Sequence, residues 1–350
     1  MQIEKTGNSD GISKTVDLLT FRDWWHLLAR YTSVIESKDT VRTALKIMAH
    51  RGFRHLPVVS SSSLYGIVSA GDLVDLFTSE EFPARTSVEG SIGFEMETKL
   101  QGDRLISSLE NHVSTIANKH PITVSPNATI LDAIRVVGEK NIGSLLIVEV
   151  LKNRDSGETA KHKQTLPIND GKLIGIVTLR DIVSILAAYG PFGVRVEDCM
   201  TSDVSTANEK DPIYSAMKLM AKKGVRRLPV ITSAKSAETG AAVLGMITNK
   251  MVLRYLESII SYETLDVKQA IKQPVRTVMA STMPLIDPRE DCGNAAYLMR
   301  EMGTGGFAVV DSRGLVGVIT ERDLISRVYK KEGLSFFSEL FEKGNIRMQV

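Results

Sequence analysis

The chain has 350 residues, with 43 Lys and Arg against 41 Asp and Glu, which gives a net charge of +2. This length predicts two or three domains, and the charge is too balanced to indicate a nucleic-acid-binding surface. Two cysteines without a CxxC neighbour exclude a disulfide framework and favour a reducing compartment. The polar start lacks the apolar centre of a signal peptide, and no window reaches the roughly eighteen apolar residues of a membrane span. We therefore expect a cytoplasmic protein that binds neither nucleic acid nor membrane.

The same twenty-one-residue pattern occurs four times along the chain, and its copies align without a gap. The copies are residues 39–59, 128–148, 211–231 and 290–310. In each copy apolar residues recur at helical spacing, and the copy ends in a short apolar run. A second strand and a closing helix follow, and a short strand such as residues 122–124 precedes the copy. We expect an α/β fold built from four β-α-β-β-α units.

Irregular segments lie between these elements. Residues 80–101 predict a loop that leads into a helical segment at 105–117. The loops between paired strands are stretched at residues 151–172 and 232–242, as solvated hairpin extensions. Pro and two glycines in residues 189–193 predict the end of a helix and the main boundary of the chain.

Three of the repeats end in Gly-apolar-apolar-Ser/Thr-x-x-Asp, at residues 66–72, 175–181 and 317–323. An ionised Asp at a strand-to-helix turn accepts hydrogen bonds from the vicinal hydroxyls of a ribose. The same spelling also describes a helix cap that needs no ligand. In the third repeat Met251 stands where the Asp is expected, so we expect its cleft to be empty or altered.

These in-phase signatures resemble those of CBS domains, including stand-alone prokaryotic and archaeal CBS proteins and the gamma subunit of AMP-activated protein kinase. The resemblance implies two CBS pairs, or Bateman modules. The implied segments are a polar N-terminal segment at 1–20, a first module at 21–189 with units at 21–79 and 113–188 and a connector at 80–112, a second module at 190–330 with units at 194–258 and 272–330, and a C-terminal tail helix at 331–350.

The resemblance also implies clefts, each formed by the signature of one unit and the helix of its partner. In the preferred cleft, the implied nucleotide-binding residues are Ser69, Asp72, Ala133 and Ile142, with Arg54 and His55 on the phosphate side. In the reciprocal cleft they are Thr178, Arg180, Asp181, Ala44 and Phe53, with glycine and serine in place of the basic pair. In the second module they are Thr320, Arg322, Asp323, Ala216 and Val225, with glycines at the phosphate position.

The basic pair of the third repeat, Arg226 and Arg227, has two open interpretations. The arginines reach phosphates in another cleft if the modules meet head to head, or they are solvated helix-end cations.

No HExxH, Walker loop or Gly-x-Ser-x-Gly elbow is present in the sequence, so we expect no enzyme. The leading hypothesis is a regulatory protein that binds AMP, ADP or ATP, holds no tightly bound cofactor and signals to an unknown protein partner as a homodimer or an intramolecular disc. The alternative is a dimerising interaction scaffold with vestigial clefts. A nucleic-acid-binding regulator is disfavoured by the near-neutral charge.

Overall fold

The computed structural model describes residues 20–22, 33–61, 63–78, 107–150, 171–236, 240–262 and 266–343. Each of the four repeats forms the expected series of a short leading strand, a helix, two longer strands and a closing helix. We call the repeats units 1 to 4 in chain order. Units 1 and 2 form module 1, and units 3 and 4 form module 2.

The described elements follow the chain order. Unit 1 contains β1 (Ile35–Glu36), α1 (Val41–Arg51), β2 (His55–Ser60), β3 (Ser63–Ser69) and α2 (Ala70–Thr78). Unit 2 contains β4 (Thr123–Val124), α3 (Ile130–Lys140), β5 (Ser144–Val150), β6 (Gly171–Thr178) and α4 (Leu179–Leu186). After α5 (Val196–Cys199), unit 3 contains β7 (Ala207–Asn208), α6 (Ile213–Lys223), β8 (Arg227–Ser236), β9 (Gly240–Thr248) and α7 (Asn249–Tyr262). After α8 (Val267–Lys272), unit 4 contains β10 (Leu285–Ile286), α9 (Cys292–Glu301), β11 (Gly306–Asp311), β12 (Gly314–Thr320) and α10 (Glu321–Lys343).

The leading strand of every unit runs parallel to the next strand, and the two longer strands pair antiparallel. In module 1 the strands join into one six-stranded sheet with the order β1-β2-β3-β6-β5-β4, through the pairing of Ser63 with Lys172. In module 2 the strands remain two three-stranded sheets, with β9 packed beside β12. The sheets therefore hold together the two units of each module.

The apolar stripes on the helices hold the modules against each other. In α1 the stripe predicted from the sequence, Val41, Ala44, Leu45 and Met48, is at most 1% exposed. One core is shared by units 1 and 3, and a second core is shared by units 2 and 4. Sheet contacts join units 1 to 2 and 3 to 4, so the four units form a closed ring within one chain.

Each unit is also joined to its partner by an exchanged segment. The segment before β4 packs on unit 1, where Asn118 exchanges backbone hydrogen bonds with Ile67, although β4 itself belongs to unit 2. In the same way Thr201 pairs with Val318 of unit 4. A Cβ at Gly66 would lie 2.5 Å from the carbonyl oxygen of Asn118, so the signature glycine allows this close approach.

Several expectations about the connecting segments are settled by the described residues. The helical segment expected at 105–117 is helical at 107–109 and continues as a 3-10 turn at Val113–Thr115. The hairpin of unit 3 extends as paired strands to Ser236 and Gly240. Residues 80–101 and 151–170 lie outside the described residues, as do 344–350 of the tail.

The tail helix and the cysteines complete the second core. The last helix continues past Gly333, whose φ of 81° breaks the regular backbone, and it ends at Lys343. It buries Phe337 and Phe341 in the core of units 2 and 4. Cys199 and Cys292 are free and buried.

Candidate functional site

The signature turns of module 1 are capping boxes. Asp72 Oδ2 accepts a hydrogen bond from the backbone N–H of Ser69 at 2.6 Å, and Ser69 Oγ accepts one from the N–H of Asp72 at 3.3 Å. Asp181 Oδ2 accepts from the backbone N–H of Thr178 at 2.8 Å and from its hydroxyl at 2.7 Å. The capping interpretation of the signature therefore holds at both turns.

The caps leave one carboxylate oxygen uncommitted in module 1. Among the described residues, no hydrogen bond reaches Oδ1 of Asp72 or of Asp181. Asp323 differs, because its Oδ2 caps Thr320 while its Oδ1 lies 2.9 Å from Nε of Arg327. A hydroxyl donor thus finds a free acceptor in module 1, whereas in unit 4 it must compete with an arginine.

The turn of unit 3 is half a cap. The N–H of Met251 donates to Thr248 Oγ1 at 3.3 Å, but Met251 has no carboxylate to accept a bond in return. Asn249 in the same turn is 6% exposed, and its Oδ1 has no hydrogen-bond partner among the described residues. A buried polar atom without a partner costs of order 1–3 kcal/mol. The sequence-based expectation of an altered cleft in unit 3 agrees with this turn.

Burial shifts the pKa values of the signature carboxylates in one direction. It raises the pKa of Asp72, which hydrogen bonds from Ser69 and the charge of Arg226 oppose. Burial also raises the pKa of Asp181 and of Asp323. A hydrogen-bond donor or a cation beside any of these carboxylates would therefore stabilise its ionised form.

Three predicted lining residues are corrected by their burial. Ala44 and Ala133 are fully buried and Ala216 is 2% exposed, because each lies on the core-facing stripe of its helix. They pack behind the clefts and offer no surface to a ligand. Phe53 and Ile142 are partly exposed beside the same cores and Val225 is 36% exposed, so these side chains remain available as apolar walls.

Glu321 marks the point where the four units meet. Its Oε2 accepts a hydrogen bond from Arg54 Nη2 at 2.8 Å, and its Oε1 accepts one from Arg180 Nε at 3.0 Å. Its side chain is 4% exposed. Arg54 belongs to unit 1 and Glu321 to unit 4, so this pair spans the ring diagonally. Burial would raise the pKa of Glu321, but the charges of Arg54 and Arg180 hold it below its ordinary value.

The basic pair of unit 3 lies against glycines of units 2 and 4, and Arg226 spans the second diagonal of the ring. The guanidinium of Arg226 fills the space that a side chain at Gly143 of unit 2 would need. Arg227 occupies the corresponding space at Gly305 and Gly306 of unit 4. The interpretation of these arginines as solvated helix-end cations is therefore wrong. They point at the glycine positions of other units, where the missing side chains make room for them.

The central cluster consists of Arg54, His55, Arg180, Arg226, Arg227, Glu321 and Arg322. It contains more cations than anions. Burial lowers the pKa of Arg226 to about 10 and that of Arg227 to about 10, and it also lowers the pKa of Arg322. The charges of Arg54 and Arg322 lower the pKa of Arg226 further. Among the described residues, the side chains of Arg226, Arg227 and Arg322 form no hydrogen bond or ion pair. The centre of the ring is thus a partly buried, electropositive site.

His55 lies in this cluster but carries no charge at neutral pH. Burial lowers its pKa from 6.5 to about 3, and Arg226, Arg54 and Arg322 contribute. At neutral pH His55 therefore supplies no positive charge to a phosphate, which corrects the expectation from the sequence. The neutral ring still offers one N–H donor.

Glu321 is a site residue that the sequence pattern does not predict. The equivalent positions in the other units are Ala70, Leu179 and Asn249, so the repeat gives no reason to expect an acid there. The one available signal was an acidic residue between a signature Thr and its Arg-Asp. Its partners come from units 1 and 2, which only the ring arrangement brings together.

Other kinds of site are not found in the described part of the chain. There, no group of three or more His, Cys, Asp and Glu side chains is arranged to hold a metal ion. No helix among the described residues combines the length and the apolar character needed to cross a membrane.

Two archaeal proteins resemble the chain over most of its length. An uncharacterized 33.4 kDa protein in the ribosomal RNA operon of Thermofilum pendens is 26% identical over 309 residues, which cover 87% of this chain and 90% of that protein. Protein MJ1225 of Methanocaldococcus jannaschii is 23% identical over 292 residues, which cover 82% of this chain and 91% of that protein.

A solved structure supports the fold, and a family profile identifies the family. The crystal structure of protein MJ1225, described as a proposed archaeal homolog of g-AMPK, matches with a TM-score of 0.66 at 22% identity and covers 86% of this chain and 98% of that one. The sequence profile of the CBS domain matches residues 32–79, 113–160, 158–188, 196–258 and 275–330. Because these matches cover more than half of the sequence, the chain belongs to the CBS domain family.

Proposed function

We propose that this CBS protein is a non-catalytic regulator that binds adenosine nucleotides in the clefts of module 1, with the phosphates directed to the centre of the ring. Ligand binding changes the shape presented to a protein partner. The observation that carries this proposal is the excess of partly buried, unpaired arginines beside two uncommitted signature carboxylate oxygens.

The arginine cluster favours an anionic ligand. Desolvated cations without partners are costly, and mutual repulsion adds to that cost. The charge of Arg322 lowers the pKa of Arg226, and neither arginine forms an ion pair with a described carboxylate, although Glu321 and Asp323 act on them from a longer distance. A phosphate group placed between them offsets both penalties, and arginine suits phosphate because its planar guanidinium donates two parallel hydrogen bonds.

The module 1 carboxylates favour a ribose beside that phosphate. Asp72 and Asp181 each keep one acceptor oxygen outside the cap, and vicinal hydroxyls are donors of matching geometry. Phe53 and Ile142 provide partly exposed apolar surface for a base. A nucleotide combines these three chemistries in a single molecule, which neither a free sugar nor a free phosphate does.

Ligand-dependent thermal stabilisation tests the proposal. The full chain is melted alone and with adenosine, AMP, ADP, ATP or S-adenosylmethionine at constant ionic strength. We expect a rise in Tm with at least one phosphorylated nucleotide that is larger than the rise with adenosine. Stabilisation by S-adenosylmethionine alone would show that a different adenosine ligand is bound.

The second candidate is an interaction scaffold with vestigial clefts. The observation that favours it is that all three signature aspartates already serve as helix caps. Under this alternative none of the five ligands raises the Tm, and the ring acts only as a docking surface.

A further inference from the structure

Glu321 occupies the place that a ligand anion would take in the central cluster. Its two oxygens are shared between guanidiniums of two different units, at 2.8 Å to Arg54 and 3.0 Å to Arg180. A phosphate bridging two arginines would present its oxygens in the same way. The residue is 3% exposed, so water does not replace the carboxylate as a partner for these arginines.

The position of Glu321 coincides with the phosphate side of the unit 4 cleft. A Cβ built at Gly305 would lie 3.2 Å from Glu321 Oε2, so the carboxylate lies directly over the glycine that replaces a basic residue. Gly305 also accepts the backbone hydrogen bond from the N–H of Glu321 at 3.1 Å, which fixes the start of the last helix there. The acid is therefore held in place by the backbone as well as by its ion pairs.

A role as a mere counterion leaves most of the cluster unexplained. Glu321 forms ion pairs with Arg54 and Arg180, whereas Arg226, Arg227 and Arg322 form none with any described side chain, although the charge of Glu321 raises the pKa of Arg226 and Arg227 from a longer distance. A single carboxylate that only neutralised the cluster would be insufficient for this task. It does, however, occupy the two arginines that face both clefts of module 1.

We propose that Glu321 is an internal anion that competes with ligand phosphates for Arg54 and Arg180, and so determines how strongly the protein discriminates nucleotides by charge. This inference rests on the proposed function. A phosphate must displace the carboxylate from one or both arginines, so a ligand of higher charge gains more than adenosine or a monophosphate.

The experiment compares wild type with Glu321→Gln. The variant keeps the size of the side chain and removes its charge. Isothermal titration calorimetry measures the affinities for adenosine, AMP and ATP at constant ionic strength. We expect ATP to bind about tenfold or more tightly to the variant, within the range of ordinary coupling energies. The affinity for adenosine is expected to change by less than about twofold, since adenosine does not compete for the arginines.

Glu257→Gln is the matched control. Glu257 is 6% exposed and pairs with His50 at 3.1 Å, in the interface of units 1 and 3 and away from the central cluster. Its loss removes a buried carboxylate without freeing Arg54 or Arg180. An unchanged or reduced ratio of ATP to adenosine affinity in Glu321→Gln, or the same rise in Glu257→Gln, overturns the proposal.

A second measurement separates this inference from the proposed function. The Tm is followed with inorganic triphosphate, which contains no adenosine. We expect triphosphate to raise the Tm of Glu321→Gln by more than that of wild type or Glu257→Gln. Equal Tm shifts with triphosphate in all three proteins would overturn the role of Glu321, even if nucleotides bind. If none of the adenosine ligands raises the Tm, the proposed function is overturned instead. If Glu321→Gln does not fold, Glu321→Asp replaces it, because the shorter carboxylate cannot span both arginines and predicts an intermediate rise.

Discussion

The two modules contribute different chemistry to the centre of the ring. In module 1 the signature carboxylates Asp72 and Asp181 each keep an uncommitted oxygen. In module 2 the equivalent positions hold Met251 and an aspartate, Asp323, that is engaged by an arginine. Module 2 instead sends Arg226 into the space above a glycine of module 1. Module 1 thus offers hydrogen-bond acceptors for ligand hydroxyls, and module 2 contributes positive charge beside them.

The largest expected effect is the loss of the module 1 acceptor. Asp72→Ala is expected to weaken adenosine nucleotide binding by roughly 1–3 kcal/mol, because the ribose loses hydrogen bonds to a charged acceptor. Asp323→Ala should cost less, since Arg327 already occupies the second oxygen of that carboxylate. Calorimetry on both variants compares the modules directly. Equal losses would remove the distinction between them.

A cap variant at a helix without the signature serves as the control. Asp132 forms a capping box with Thr129, at 3.0 Å from its N–H, in the first turn of α3. Asp132→Ala therefore removes the same cap chemistry without the proposed ribose acceptor. A similar loss of nucleotide affinity in Asp132→Ala would assign the effect of Asp72→Ala to helix capping.

The next effect concerns the pH dependence of module 1. His55 has a pKa near 3 in the folded protein against 6.5 as its ordinary value, so the unfolded chain binds more protons between these limits. Folding stability is therefore present above pH 6.5 and decreases as the pH falls toward 3, by up to about 1.4 kcal/mol per pH unit. Denaturant titrations at pH 7, 6 and 5 should show that His55→Asn loses this part of the slope.

His120→Asn provides the comparison for the pH series. His120 is exposed and lies outside the central cluster. Its variant should follow the wild-type slope across the same pH values. A slope in His55→Asn equal to that of wild type would mean that burial and the neighbouring arginines do not suppress protonation of His55.

A smaller effect tests whether module 2 lends charge to module 1. Arg226→Met removes an unpaired, partly buried cation and keeps a long side chain over Gly143. We expect the ligand-free protein to be stabilised by about 1 kcal/mol, as when buried charges are replaced by apolar groups. ATP should bind more weakly to the variant, whereas adenosine should not. Arg313→Met, at an exposed arginine paired with Asp311, is the control for losing a charge.

The smallest effect is the repair of unit 3. Met251→Asp completes the cap with Thr248 and adds an acceptor at the ribose position. A completed cap should add about 0.5–1 kcal/mol to stability. Calorimetric stoichiometry should rise above the wild-type value if this carboxylate is what the unit 3 cleft lacks. A wild-type count of four per chain would show that the signature aspartate is dispensable for binding.

The order of elements in each unit follows from local chemistry that the sequence carries. The apolar stripe of α1 predicted both a helix and its buried face, because residues such as Leu45 and Met48 recur at helical spacing. The cap at Asp72 was also visible, since Ser-x-x-Asp is a local pattern. Predictions of this kind depend on residues only a few positions apart.

The centre of the ring depends on residues far apart in sequence, which is why it was only partly predicted. Arg54 and Glu321 are 267 positions apart, and their pairing requires both the sheet contacts within modules and the shared cores between them. The family resemblance implies that alanines such as Ala133 line the clefts. These alanines lie on the buried stripes of their helices and have no surface that a ligand could contact. The sequence around Arg226 fits two interpretations, and its contact with Gly143 of another unit decides between them.

The exchanged segments determine how this protein can be cut. Phe21, ahead of β1, is 1% exposed in the core of units 2 and 4, and Val113, ahead of β4, is fully buried in the core of units 1 and 3. A fragment that contains only the five elements of one unit would therefore have a cavity in its core, at the position where the leading segment of its partner unit packs. Unfolding one unit also withdraws buried side chains from another, so the free energies of unfolding of the units are linked. The molecule should melt in one cooperative transition, and no single repeat should survive proteolysis as an independent fragment.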